Sequence, residues 1–289
     1  MKILINKYYK FFDQKKYFEI KNLYREKKRQ EFLKKFFYKK IKKFRNLKKK
    51  NINFLHSGQL GDIICSLPVI YHLSKKHSCN LYLNIDKKNS FLNFEIYKKL
   101  LPLLKKQPYI KNIDIYKNQS IDVNFDLFRE FPFLWFNLNK IFLQLTGLNF
   151  DLNKKFIFVK KIKKFSNKVI ILRSLRRQNL SLKYNFLNKN KNLIFIGLKD
   201  EFFNLKKKIP NLKYYNCKDF LEMSIIINSS KLFIGNNSFG FHLAEGLKVK
   251  RILEKSSEGP DIIPFGSNGY EVFFQCDFEK ICNSLLVKK

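Results

Sequence analysis

From Asn51 onward the chain alternates short apolar runs with amphipathic segments of helical period, and this alternation most restricts the folds open to it. Ile52–His56 reads as a strand, Asp62–Lys75 as a helix, Asn80–Ile85 as a strand, Phe91–Leu104 as a helix and Ile113–Tyr116 as a strand. Strand-sized runs separated by helix-sized ones are the pattern of βα units, whose strands pair in parallel beneath covering helices. The pattern lapses over residues 118–165 and restarts at Val169–Leu172. Leu193–Gly197, Tyr214–Asn216, Leu232–Ile234 and Arg251–Leu253 follow as strands, with helices opening at Asp200, Asp219 and Ser238 and a closing helix at Phe278–Leu286. Two blocks of alternation predict an α/β chain of two halves, 51–165 and 166–289, joined near the polar run Lys160-Lys161-Ile162-Lys163-Lys164.

Residues 1–50 are of another kind, with 20 Lys or Arg against four acids and neither Gly nor Pro. Apolar side chains recur there at helical spacing (Phe32, Leu33, Phe36, Phe37, Ile41, Phe44), which predicts a basic amphipathic helical extension. Such a helix either packs its stripe on the body or lies on an anionic membrane surface, where each nearby cation contributes about 1 kcal/mol.

The whole chain carries a formal charge of +36, a field that attracts phosphates, anionic lipid or nucleic acid. Abundant Lys, Asn, Ile and Phe are also what an AT-rich coding sequence would give, so charge alone does not make this a nucleic-acid protein. Zinc-finger spacings and the aromatic signature of RNA-binding sheets are absent, and nucleic acid is a disfavoured partner. The five cysteines form no C-x-x-C pair, which fits a reducing compartment and argues against a disulfide framework or structural zinc. No run of about 18 apolar residues offers a spanning helix, and the N-terminus lacks the apolar core of a signal peptide. A cytoplasmic location, peripheral on the inner membrane face through the extension, is expected.

Two segments carry the chemistry. In His56-Ser57-Gly58-Gln59-Leu60-Gly61-Asp62-Ile63-Ile64-Cys65-Ser66-Leu67-Pro68 a strand enters a glycine-bearing turn and Asp62 opens a helix. Asp62 there is either a helix cap or a carboxylate at the carboxyl end of a strand, the edge where open α/β sheets bind ligands. Lys231 to Glu245 repeats the strand–turn–helix form. The backbone N–H groups of Ser238, Phe239 and Gly240 would stand at a helix N-terminus, a place suited to a diphosphate. The Walker spacing with its Gly-Lys-Ser/Thr ending is missing, which disfavours nucleotide hydrolysis.

Together these segments resemble glycosyltransferase family 9, the heptosyltransferase group. Leu60-Gly61-Asp62-Ile63-Ile64 with Leu67-Pro68-Val69-Ile70 resembles the family's opening motif. Gly235, Asn236, Ser238, His242, Leu243 and Ala244 are in register with its late Gly-Asn-Asp-Ser/Thr-Gly-x-x-His-Leu-Ala motif. The resemblance spans roughly residues 51–265 and implies a GT-B fold, two Rossmann-like domains facing a cleft. It further implies inverting transfer of a sugar, typically a heptose from ADP-heptose, to a lipopolysaccharide or related glycolipid acceptor, with no metal or other cofactor. Asp62 becomes the general base that deprotonates the acceptor hydroxyl. The amides of Ser238, Phe239 and Gly240, with Arg173, Arg176 or Arg177 from the run after the second half's first strand, become the donor-phosphate site. Gly61, Gly197, Glu201, Asn236, Asn237 and His242 are placed along the cleft. The chain departs from the family at Asn237, where an acid is usual, and at Phe239, where glycine is usual. A catalytically degenerate nucleotide- or glycan-binding protein, or a basic nucleic-acid-binding protein, is therefore the alternative.

Overall fold

The computed structural model describes residues 8–32, 34, 48–85, 91–131 and 136–286. Contacts divide the chain into a segment ending at Lys48 and a unit beginning at Lys49. In the first, residues 8–12 are helical and α1 (Gln14–Phe32) buries none of its residues. Of the expected apolar stripe, Leu33, Phe36, Phe37, Ile41 and Phe44 lie outside the described residues. No helix among the described residues is long and apolar enough to cross a membrane.

The larger unit begins with β1 (Asn51–His56), α2 (Leu60–Leu73), β2 (Ser78–Leu83), α3 (Phe94–Lys105), β3 (Asn112–Ile115) and β4 (Val123–Asn124). A 3-10 turn at Phe125–Glu130 and α4 (Leu138–Thr146) complete its first half. Alternation in β1 puts Ile52, Phe54 and His56 inside, as a half-covered strand should. Every residue of α2 from Ile63 to Ile70 is buried, because this helix packs against α4 and also against the helix Phe239–Leu247 of the second half. The second half runs β5 (Val169–Leu172), β6 (Leu193–Ile196), α5 (Lys199–Lys206), β7 (Lys213–Tyr215), α6 (Phe220–Ser229), β8 (Leu232–Asn236), α7 (Phe239–Leu247), β9 (Arg251–Glu254), β10 (Gly269–Val272) and α8 (Gln275–Leu286). Its central strands β5, β8 and β9 are buried along their whole length, the consequence of a parallel sheet covered on both faces.

Both sheets are parallel throughout, in the orders β3-β2-β1-β4 and β7-β6-β5-β8-β9-β10. The six-stranded sheet has the doubly wound dinucleotide-fold order, and the four-stranded one its first four strands. The segment between the sheets is pinned to both halves. Phe156 and Ile157 donate their N–H groups to the Gly246 carbonyl at 3.0 and 3.1 Å, the Phe156 carbonyl accepts Tyr109 Oη at 2.6 Å, and Phe158 N–H reaches Gln107 Oε1 at 2.8 Å. Strand order reverses between β1 and β4 and between β5 and β8. Those reversals open crevices at the carboxyl ends of the strands, where chain leaving adjacent strands diverges.

Candidate active site

Both crevices open into one cavity of about 470 Å³. Its wall comes from the turns after β1 (Gln59, Leu60, Gly61, Asp62), after β4 (Phe128, Arg129), after β5 (Arg176, Arg177), after β8 (Asn237, Ser238, Phe239) and after β9 (Asp261, Ile262), with His242 from α7. Side chains from both halves thus share a single space.

Asp62 does not open its helix, as the sequence suggested. Gln59 is the N-cap, Asp62 stands three residues inside, and its Oδ2 accepts the Gln59 N–H at 2.9 Å. It is a cap and a cavity residue at once. Burial pushes its carboxyl up to about 6, against the pull of the Gln59 N–H and the charges of Arg129 and Arg177. A carboxylate held near neutrality beside a cavity is suited to taking a proton at physiological pH.

Opposite Asp62, α7 begins without a side-chain cap. Ser238 Oγ turns back to donate to the Asn236 carbonyl at 3.1 Å, so the first-turn amides keep their free donors and the positive end of the helix dipole. Phe239 lines the cavity and stands edge-on to Phe220, ring centroids 4.6 Å apart. Arg176 and Arg177 bring two cations to the same wall. Arg177 has φ 53, in the left-handed region that a residue other than glycine rarely enters unless its surroundings hold it there.

Asn236 is what holds the arginine turn. Fully buried, it accepts Ser174 N–H at 2.9 Å and donates to the carbonyls of Ser174 (3.0 Å) and Arg176 (2.7 Å). It is a clamp between β5 and β8 and not part of the cavity wall. Arg173 is also removed from the wall. Its guanidinium is 2% exposed, lines no part of the cavity and is held by Glu254 (2.6 and 2.8 Å), Gln178 Oε1 (2.9 Å) and the Asn179 carbonyl (3.2 Å), which places it away from a phosphate bound there. Gly240 packs on Leu172, where an added Cβ would come within 2.5 Å of Cδ1, and lies behind the wall. Gly197 and Glu201 line no part of the cavity. Glu201 caps the Leu198 N–H at 3.1 Å, and burial raises its carboxyl while the backbone of Leu175 and the charge of Arg176 pull it down. It supports the arginine turn from behind.

His242 is buried, and burial followed by the charge of Arg177 lowers its imidazole to about 4, so it is neutral. Its Nδ1 lies 3.2 Å from Cys65 Sγ, a contact between the halves. His56, at the end of β1, is likewise held near 4, chiefly by burial, and accepts the Gly58 N–H at 2.9 Å.

Arg129 and Asp261 were missed from the sequence. Arg129 sits in the irregular stretch after β4, bonded to Asp126 Oδ1 at 3.0 Å and stacked between Phe91 and Phe128. No periodic signal marks it. Asp261 ends the turn Gly259-Pro260-Asp261 just beyond a strand, a turn signal at a strand's carboxyl end that could have found it. Among the described residues no group of three His, Cys, Asp or Glu side chains could hold a metal ion.

No protein-family model and no curated protein sequence matches the chain. Solved structures do match. A glycosyltransferase family 9 structure from Veillonella parvula DSM 2008 superposes with a TM-score of 0.54 over 83% of this chain and 94% of that one, at 12% identity. The ADP-heptose lps heptosyltransferase II of E. coli superposes with a TM-score of 0.51 over 82% and 98%, at 10% identity. With its two parallel sheets and shared cleft, the chain has the GT-B-like fold of these glycosyltransferase family 9 structures, as the resemblance of its two motifs implied.

Proposed function

We propose that the chain is an inverting glycosyltransferase that moves a sugar from a nucleoside-diphosphate donor to a glycan or glycolipid acceptor. The observation that carries this is one cavity holding a carboxyl raised to about 6, Asp62, together with the uncapped start of α7 and the cations Arg176 and Arg177. Ionised Asp62 takes the proton of the acceptor hydroxyl as its oxygen forms a bond to the anomeric carbon. The bond from that carbon to the diphosphate oxygen breaks on the opposite face, and the leaving group carries off the electron pair. Helix amides and arginines stabilise the charge that develops there. A diphosphate is a weak base, so no strong acid is needed on that side.

ADP-heptose is the first donor to test, because the superposed E. coli protein is named for it. A donor screen with mass detection of released nucleoside diphosphate and glycosylated acceptor tests the proposal. Transfer that disappears in Asp62→Ala while the fold persists supports it. Unchanged turnover in that variant removes Asp62 from the mechanism.

Phe239 favours a second reading, a nucleotide- or glycan-binding protein without turnover, since an aromatic ring stands in the turn that would receive phosphate. Nucleotide-dependent stabilisation with no transfer for any donor would select it.

The basic extension suits an acceptor embedded in an anionic surface. Phe11 and Phe12, each 76% exposed, and Phe18 stand among its lysines, the composition of a segment that lies on lipid headgroups. Co-sedimentation with anionic but not zwitterionic vesicles tests that placement.

A further inference from the structure

Among the described residues, only a handful of buried side-chain polar atoms lack a hydrogen-bond partner, and Arg129 Nη2, Asn237 Nδ2 and Asp261 Oδ1 belong to residues lining this cavity. A buried polar atom without a partner costs roughly 1–3 kcal/mol, so a group of them around one space points to a ligand that supplies the partners. Asn237 and Asp261 are each only 7% exposed, and both stand on the second half.

The two belong to one rigid assembly. The Asn237 amide lies over Gly259, where an added Cβ would come within 2.6 Å of Nδ2. The loop carrying Asp261 is fixed by Lys255 Nζ, which donates to the carbonyls of Pro260 (3.2 Å) and Ile262 (2.7 Å), and by Asn137 Nδ2, which donates to the Asp261 carbonyl at 3.2 Å. Neither side chain needs to move to meet a ligand.

Their chemistry narrows the ligand. An amide N–H requires an acceptor and a carboxylate oxygen requires a donor. A phosphate offers only acceptors and is repelled by Asp261. A sugar hydroxyl both donates and accepts and carries no charge. Asn237 also directly precedes Ser238 at the start of α7, so a sugar linked to a diphosphate on that helix end lies beside it.

We infer that Asn237 and Asp261 bind hydroxyl groups of the transferred sugar, one hydroxyl accepting from Asn237 Nδ2 and one donating to Asp261 Oδ1, and so set which sugar is taken. This rests on the donor-site reading above. Burial holds the Asp261 carboxyl above its ordinary range, against the charges of Arg177 and Lys255, which suits a partner that donates a hydrogen bond. A hydrogen bond to a buried carboxylate distinguishes ligands by about 10- to 100-fold.

Calorimetric titration of the full chain with ADP, UDP and GDP, and with ADP-heptose, ADP-glucose, UDP-glucose and GDP-mannose, tests the pair. The expected result is a nucleotide sugar bound more tightly than its parent nucleotide, with that advantage lost by about 10- to 100-fold in Asp261→Asn and parent-nucleotide affinity not weakened. Asn237→Ala gives the same selective loss, and thermal melts of both variants establish that they fold. Retention of the full sugar advantage in both variants overturns the inference. Equal weakening of nucleotide and nucleotide sugar also overturns it, placing the pair on the phosphates. Absence of any nucleotide binding by the unaltered chain overturns the donor-site reading, and the pair with it.

Discussion

The imidazole of His242 lies directly over Gly61, such that a Cβ on Gly61 would stand 2.7 Å from Cδ2 and 3.0 Å from Nε2. This close approach, between the start of α2 and the middle of α7, brings Asp62 to the helix end that would receive the donor. Gly61→Ala should therefore cost about 1–3 kcal/mol, because neither backbone nor buried ring has room to give. In a His242→Ala background the same substitution should cost almost nothing, since the obstructing ring is gone. A double-mutant cycle by urea denaturation checks this, with a coupling of at least about 1 kcal/mol expected. Additive losses would show that Gly61 answers to something other than the ring.

The raised carboxyl of Asp62 gives two pH dependences with opposite consequences. As a base it works only when ionised, so kcat/KM should rise with pH through about 6 and level off above, and Asp62→Asn should lower it by about 10²- to 10⁴-fold. For stability, the folded chain holds this proton up to about 6, whereas the ordinary value is 3.8. Its contribution is complete below 3.8 and fades as pH rises through 6. Asp62→Asn should accordingly raise the melting temperature at pH 7.5 relative to the unaltered chain, and the difference should vanish at low pH. Calorimetric melts across pH 3.5 to 7.5 and initial-rate profiles test both limbs.

The residues that were legible in the sequence are those whose chemistry coincides with a periodic signal. Asp62 and Ser238 each lie at a strand–turn–helix junction, and the two junctions do meet. Asn139 shows why the stretch 118–165 was opaque. Asn137 and Asn139 interrupt the apolar residues of 131–145 in the sequence, yet Asn137 caps α4 through Lys140 N–H and Asn139 is buried with its amide on the Cys65 carbonyl. A polar residue satisfied by a distant backbone is indistinguishable, in sequence, from one facing water. Arg173 failed for the converse reason. Nothing near it in the chain announces Glu254, 81 positions on, which consumes its charge.

Arg177 combines a strained backbone with the cation proposed to meet the diphosphate. Glycine adopts φ 53 freely, so Arg177→Gly should keep or raise stability, by up to about 1 kcal/mol, while weakening nucleoside-diphosphate binding about tenfold. Arg176, which is exposed and lies outside the left-handed region, offers the contrast: Arg176→Gly should weaken binding with no gain in stability. Since the Arg177 charge also pulls down the Asp62 carboxyl, its loss should carry the acid limb of the rate profile above 6. Calorimetric binding, melts and the pH profile of one variant thus read three consequences of one side chain.

Arg173 should behave as a structural ion with no direct part in binding. Glu254 is fully buried and accepts from Arg173 Nε and Nη2, Tyr184 Oη (2.6 Å) and the Asn179 N–H (2.5 Å). Removing only the cation leaves this carboxylate buried without its counter-charge, a change that costs about 3–5 kcal/mol. Arg173→Met should then reduce the melting temperature sharply. Arg173→Met with Glu254→Gln should recover much of the loss, because the neutral amide can accept the Asn179 N–H on its oxygen and donate from its nitrogen to the Tyr184 hydroxyl, and no longer needs a cation. Neither variant should alter nucleoside-diphosphate affinity measured well below its melting point by more than a few fold, since the Arg173 guanidinium is buried on Glu254 and lines no part of the cavity. A tenfold loss of affinity in the double variant, with its fold intact, would return Arg173 to the donor site.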